Sequence, residues 1–222
     1  MTAAELDRAD IGLLYRATRK RLSALVLDAG QAHVAVSACP GWSVHDVVAH
    51  LVAVVEDAMA GRLNGPPSDD FTAEQVARNR DHDVPDMVAR WAAIAEPFEA
   101  ALTSMRIWPA FIDVLAHEHD LRGALNRPAG RQSEEVLLAS FQLLSTLNSS
   151  RRLAILVADR KILVGPDNEA ELSLSTTPFE AFRFRLGRRS KAQMQRMAWS
   201  GDPEPVLGDL TIVGPSPLDI VE

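Results

Sequence analysis

Apolar residues recur at intervals of three and four through the first two-thirds of the chain, and this spacing predicts helices. Leu6, Leu13, Leu14, Ala17, Leu22, Leu25 and Val26 place one helix over residues 3–29, ended by Gly30. Cys39-Pro40-Gly41-Trp42 reads as a turn. Ser43 with Asp46 three residues on then reads as a capping box, opening a helix that runs to about Gly61. Asn64-Gly65-Pro66-Pro67-Ser68 is a loop, and Thr72 with Gln75 opens a short polar helix. Asp83-Val84-Pro85 starts a longer one carrying Met87, Val88, Trp91, Ile94, Phe98 and Leu102. Pro109 opens a helix that ends near Asn126-Arg127-Pro128, and Ser133-Glu134-Glu135 opens another through Leu137, Leu138, Phe141, Leu144 and Leu147.

The pattern changes after about residue 155. Lys161–Gly165 and Glu171–Ser175 read as short strands, and Pro178–Leu186 and Lys191–Trp199 as helices flanking Gly187-Arg188-Arg189-Ser190. There is no internal repeat and no low-complexity tract. The elements predict a mainly α protein, with a four-helix-type bundle over residues 1–155 and a small α+β domain over residues 156–222.

Composition narrows the partners. The chain has 222 residues, 47% hydrophobic, which suffices for one or two cores. A formal net charge of -7, with one short basic run from Arg183 to Lys191, argues against a nucleic-acid partner. No apolar stretch is long enough to span a membrane, and the charged start lacks a secretory pattern. A single cysteine, Cys39, cannot form an internal disulfide, which fits a reducing cytoplasm.

The candidate chemistry lies on two of the helices. His50 sits in the apolar run Val47-Val48-Ala49-His50-Leu51, and Asp113 and His117 are four apart on a helix that is otherwise apolar there. That spacing puts Asp113 and His117 on one face, one turn apart. Converging with His50, they would form a three-ligand metal site with open positions for water, a thiol or a substrate. Each residue alone has a plainer reading: His50 as a hydrogen-bonded core histidine, Asp113 paired with Arg106, His117 exposed. Asp120, three after His117, could orient a ligand, although pairing with Arg122 or Arg127 is the plainer role. His45 reads as surface, Glu118 and His119 point away from the site, and Cys39 reads as a buried, inert thiol.

Two segments carry a family resemblance. Cys39-Pro40-Gly41-Trp42-Ser43-Val44-His45-Asp46-Val47-Val48-Ala49-His50-Leu51 resembles the C-x-G-W-[ST]-V-x-D-[VL]-x-A-H-L segment of the mycothiol-dependent maleylpyruvate isomerase family, within the DinB-like, YfiT-like metalloproteins. Asp113 to Leu125 resembles its second signature, E-x-x-x-H-x-x-D-L-x-x-A-L, with Asp113 where the pattern has Glu. Phe179–Ser190 and Trp199–Pro203 are similar to the C-terminal region of many members. The resemblance implies a DinB-like up-and-down helical bundle followed by a small sterol-carrier-like α+β domain. It implies a divalent metal, usually zinc, on His50, Asp113 and His117, and mycothiol as co-substrate.

The expected function is therefore metal-dependent isomerisation or transfer, in which the thiol attacks a small electrophile. The metal ligands would not act as acid–base groups, and no catalytic residue is singled out. Arg188 and Arg189 are candidates for an anionic part of the substrate, against the plainer reading of a solvated basic turn. A non-catalytic metal- or small-ligand-binding module is the alternative. A metal-assisted hydrolase ranks last, because its nearest base, Glu56, falls on another face from His50. Two imidazoles and a carboxylate suit zinc, nickel, iron or manganese alike. A homodimer through bundle faces is compatible with the architecture, and no stripe in the sequence demonstrates it.

Overall fold

The structure, a computed structural model, describes residues 3–63, 65–167 and 172–222. Asn64 of the expected loop and Glu171 of the expected strand lie outside the described residues. Contacts divide the chain into two compact units: Ala9–Ala129 with Glu222, and Gly130–Val221 with the amino-terminal helix.

The first unit is built from α2 (Ile11–Ala29), α3 (Val44–Met59), α4 (Asp69–Arg78), α5 (Val84–Met105) and α6 (Trp108–Ala124). The single helix expected over residues 3–29 is two, because Asp10 interrupts it. Its extended backbone and its side chain, accepting from the Leu13 amide, cap α2 and leave α1 (Ala3–Arg8) separate. The Ser43–Asp46 capping box forms in both directions, with the Ser43 amide donating to Asp46 Oδ2 at 2.9 Å. α4 starts earlier than Thr72 would predict. Ser68 caps it by accepting from the Phe71 amide, and Asp69 and Asp70 in the first turn complement the helix dipole.

α2 and α3 each pack on both α5 and α6, and α4 lies on α3. Ile11, Leu22, Val47, Leu51, Met87, Trp91, Phe111 and Leu115 fill the core between them. α2 and α5 approach closely because Gly12 has no side chain: a Cβ there would lie 2.1 Å from the Glu99 carbonyl oxygen. Buried charge is paired along the same seam. Glu99 accepts from Arg16 Nε at 2.5 Å and from Arg19 Nε and Nη2 at 3.0 and 2.9 Å. α6 buries residues on nearly every side, which brings His117, Glu118, His119 and Asp120 into the interior together. Glu118 is neutralised there by Arg21 and Arg122.

The second unit carries α7 (Glu134–Leu144), β1 (Leu153–Val157), β2 (Arg160–Val164), β3 (Leu172–Thr176), α8 (Pro178–Arg185), α9 (Lys191–Gln195) and β4 (Ala198–Trp199). The sheet order is β2-β1-β3-β4, with β1 parallel to β3 and the other pairs antiparallel. β1 was not anticipated from periodicity. Its Leu-Ala-Ile-Leu-Val run is almost wholly buried, so it shows no alternation. The helix expected over Lys191–Trp199 stops at Gln195, because Ala198 and Trp199 pair with Ser175 and Leu174. α7 packs on α8, and Phe141, Leu144, Ile155, Leu174 and Phe184 share one core. No helix among the described residues is long and apolar enough to cross a membrane.

Gly12→Ala is expected to force α2 and α5 apart, costing about 1–3 kcal/mol. Thermal unfolding should show a lowered Tm, and an unchanged Tm would contradict the close approach.

Candidate metal centre

The core stripe of α3 runs Val47, His50, Leu51, so helical spacing alone carries the imidazole of His50 inward. Asp113 and His117 enter from α6, one turn apart. His50 Nε2 lies 3.7 Å from Asp113 Oδ2, and His117 Nε2 lies 3.6 Å from Asp113 Oδ1. The two imidazole rings stand edge to face with centroids 5.5 Å apart. One donor atom from each of the three residues lies within 4.8 Å of the other two. Both histidines are buried, whereas the Asp113 side chain is 39% exposed, so the cluster opens to solvent on the Asp113 side.

The ring orientations follow from what surrounds them. Asp57, fully buried on α3, accepts from Arg62 Nε at 2.8 Å, Arg78 Nη2 at 2.7 Å and Gln75 Nε2 at 2.8 Å. Burial works against this carboxylate, but Arg78, Gln75 and Arg62 outweigh it and hold its pKa below the usual 3.8. An ionised carboxylate only accepts, so the Gln75 NH2 must face Asp57 and its Oε1 must face His50. His50 Nδ1 therefore donates to Gln75 Oε1, at 3.1 Å. This leaves the Nε2 lone pair pointing at Asp113. His117 repeats the arrangement, with Nδ1 3.1 Å from the buried Asp120 Oδ2 and Nε2 toward Asp113.

Two lone pairs and a carboxylate thus converge on one space. Such a donor set needs a cation, either protons or a metal ion. Protons show the tendency at His50. Burial disfavours the imidazolium, but the hydrogen bond and charge of Asp113, with Gln75 adding, raise its pKa above the ordinary 6.5. The N···O separations of 3.6–3.7 Å are close to the roughly 3.3 Å between ligands of one ion with bonds of about 2.0–2.1 Å. Asp113 therefore reaches both histidines without the extra methylene of a Glu. His50, Asp113 and His117 fit a divalent ion in number, type and orientation.

Other expected residues fall differently. Asp120 does not take the plainer role, since Arg122 pairs with Glu118 and Arg127 with Asp28, while Asp120 faces His117. Cys39, expected as a buried and inert thiol, stands in polar contact, with its Sγ 3.7 Å from His117 Nδ1 and 3.5 Å from Asp120 Oδ2. His45 is half-buried and bonds the His82 carbonyl at 2.8 Å. Glu56 pairs with Arg90. In the second unit, Arg189 is buried and donates to both oxygens of Glu180 at 2.7 and 2.9 Å, and Arg188 Nη1 donates to the Leu186 carbonyl at 2.9 Å.

The residues that sequence reasoning missed are Gln75, Asp57 and Trp42. Trp42 places its ring centroid 5.3 Å from that of His50, tilted, and 6.4 Å from that of His117, stacked. Asp57 carried a signal, being seven after His50 and so on the same face of α3. Gln75 carried none, because only tertiary packing turns it inward as the one buried residue of α4.

Comparison with known proteins bears on the fold. Residues 15–118 match the family model of the mycothiol maleylpyruvate isomerase N-terminal domain. The crystal structure of the mycothiol-dependent maleylpyruvate isomerase superposes with a TM-score of 0.63 at 15% identity, covering 92% of this chain and 99% of that one. A histidine-to-alanine mutant of that isomerase gives a TM-score of 0.62 at the same identity and coverage. A search of curated protein sequences finds no match.

Asp57 makes the site acid-sensitive. Its folded-state pKa is depressed, so its stabilisation is complete above the unfolded value of about 3.9 and is lost as pH falls through the folded value. Asp57→Ala should cost about 1–3 kcal/mol near neutral pH, less than a fully buried pair because Arg62 and Arg78 are half-exposed. Tm followed from about pH 6 to about pH 2.5 should fall less steeply in Asp57→Ala than in wild type, and parallel curves would refute the assignment. Gln75→Ala, which frees the His50 ring, should weaken divalent-metal binding about 10–100-fold by calorimetric titration.

Proposed function

Since residues 15–118 match the family model of the mycothiol maleylpyruvate isomerase N-terminal domain, we propose that the protein is a metal-dependent enzyme that uses a low-molecular-weight thiol, mycothiol, as its nucleophile. The substrate class is a small electrophile, and the reaction is isomerisation or transfer. One observation carries this reading: the Nε2 atoms of His50 and His117 and the carboxylate of Asp113 converge at a solvent-accessible opening. A divalent ion held by these three, zinc being the expected one, supplies Lewis acidity that favours the thiolate form of a coordinated thiol near neutral pH.

The chain's own residues do the rest. Gln75 and Asp57 hold His50, and Asp120 holds His117, so neither ring has to turn when the thiol arrives. Trp42 packs beside both rings, and Asp113 leaves one side open for the thiol and the electrophile. In isomerisation the thiolate adds to an activated cis double bond, the carbon–carbon bond rotates, and the double bond re-forms as the thiolate departs. In transfer the thiolate displaces a leaving group or opens a ring and stays attached. The histidines act as ligands and not as bases, because each spends its second nitrogen on a protein acceptor.

A second reading, a metal- or small-ligand-binding module without turnover, is favoured by Asp113 in place of the family's Glu. The two part on one experiment. Purified protein should carry at least one zinc ion per chain, and His117→Ala should carry almost none. With mycothiol and a panel of electrophiles, wild type should form isomerised product or thiol conjugate, whereas the variant should not. Equal, negligible metal in both proteins removes the metalloenzyme reading. Full metal loading with no turnover leaves the binding module.

A further inference from the structure

We propose that the Nδ1 face of His117 is a second cation site, completed by the thiolate of Cys39 and the carboxylate of Asp120, and that it takes a thiophilic divalent ion. His117 is then shared, with Nε2 turned to the cluster with His50 and Asp113, and Nδ1 turned to the new one.

Three observations carry this. The donor atoms already have the spacing of ligands around one ion. Cys39 Sγ to His117 Nδ1 is 3.7 Å, Cys39 Sγ to Asp120 Oδ2 is 3.5 Å, and His117 Nδ1 to Asp120 Oδ2 is 3.1 Å. Bonds of about 2.3 Å to sulfur and about 2.0 Å to nitrogen or oxygen, set tetrahedrally, give edges of roughly 3.3–3.6 Å. Next, the two histidines differ in what backs them. The Nδ1 of His50 meets a neutral amide oxygen, which is all that orientation requires. The Nδ1 of His117 meets a carboxylate and, in addition, a thiol that orientation does not need.

The backbone also aims the thiol. The tight turn in which the Trp42 amide donates to the Cys39 carbonyl at 2.9 Å has Gly41 at φ 85, a conformation that side chains rarely adopt. The Cys39 side chain that leaves this turn reaches His117 and Asp120 on α6.

Charge balances without further groups. The incoming ion displaces two protons, one from the Cys39 thiol and one from His117 Nδ1, so the net charge of the cluster does not change. With both positions filled, two divalent ions face four negative ligands: Asp113, Asp120, the Cys39 thiolate and the His117 imidazolate. Sulfur selects the ion at the second position, favouring zinc or cadmium over magnesium or calcium. The proposal does not rest on thiol chemistry at the first cluster, since each position has its own ligands besides His117.

Cobalt(II) titration of metal-free protein tests it, because thiolate ligation gives a charge-transfer absorption and Cys39 is the only cysteine. Wild type should bind two cobalt ions per chain and develop the band. Cys39→Ser should bind one ion without it. Asp113→Asn should keep the band while losing the other ion, so failure of the first cluster is read separately. Alkylation of wild-type Cys39 by iodoacetamide should slow several-fold with cadmium present, a readout that needs no variant. One ion with the band supports the second site and removes the first. Saturation at one ion with no band, or alkylation unaffected by cadmium, overturns the proposal.

Discussion

Two imidazole nitrogens and one carboxylate point into the same small space, each with electron pairs facing the others, and this unfavourable convergence organises the first unit. It persists because each ring is held from behind. A buried Asp57, ionised by two arginines, fixes the Gln75 amide, and that amide fixes His50. Asp120 does the same for His117 in one step. The hydrogen-bond direction propagates from a carboxylate that can only accept, so the protonated nitrogen of each ring is decided about one turn of helix away from where chemistry would occur.

A bundle can hold such a cluster only if its other buried charges are neutralised. Glu99 is shared by Arg16 and Arg19, and Glu118 by Arg21 and Arg122, so α2, α5 and α6 are tied by paired carboxylates. Pairs of this kind add little net stability, since desolvation offsets most of their attraction, but mispairing them is costly. They therefore help set one helix register, and register between helices decides whether His50 of α3 meets Asp113 and His117 of α6 or a neighbouring turn. Gly12 contributes through shape, letting α2 and α5 meet backbone to backbone where a methyl group would not fit. The functional consequence is rigidity, because ligand atoms that are already spaced for an ion need little reorganisation to bind it.

The second unit shows where local patterning loses its grip. β1 is an inner strand of its sheet and is buried except at Leu156, so its continuous apolar run resembles the tail of the preceding Leu-rich helix. Trp199 is drawn from a helical pattern into the sheet by pairing with Leu174 and by donating its indole N–H to the Met194 carbonyl at 2.8 Å. Both differences come from contacts that are distant in sequence, which periodicity does not contain.

Sequence alone determined the mainly helical character, most of the helix starts and three of the residues at the centre. Capping residues act on amides two or three positions away, and a spacing of four puts Asp113 and His117 on one face by geometry of the helix itself. Even so, Thr72 and Gln75 mimicked a cap that Ser68 provides, because a favourable cap motif does not say whether an earlier one has already started the helix. Tertiary structure alone decided that His50 meets that face, that Gln75 turns inward, and that Cys39 joins them. Those are relations between segments distant in sequence. They depend on which faces pack and at what distance, and no local rule encodes that for a residue whose partner lies 25, 78 or 81 positions away.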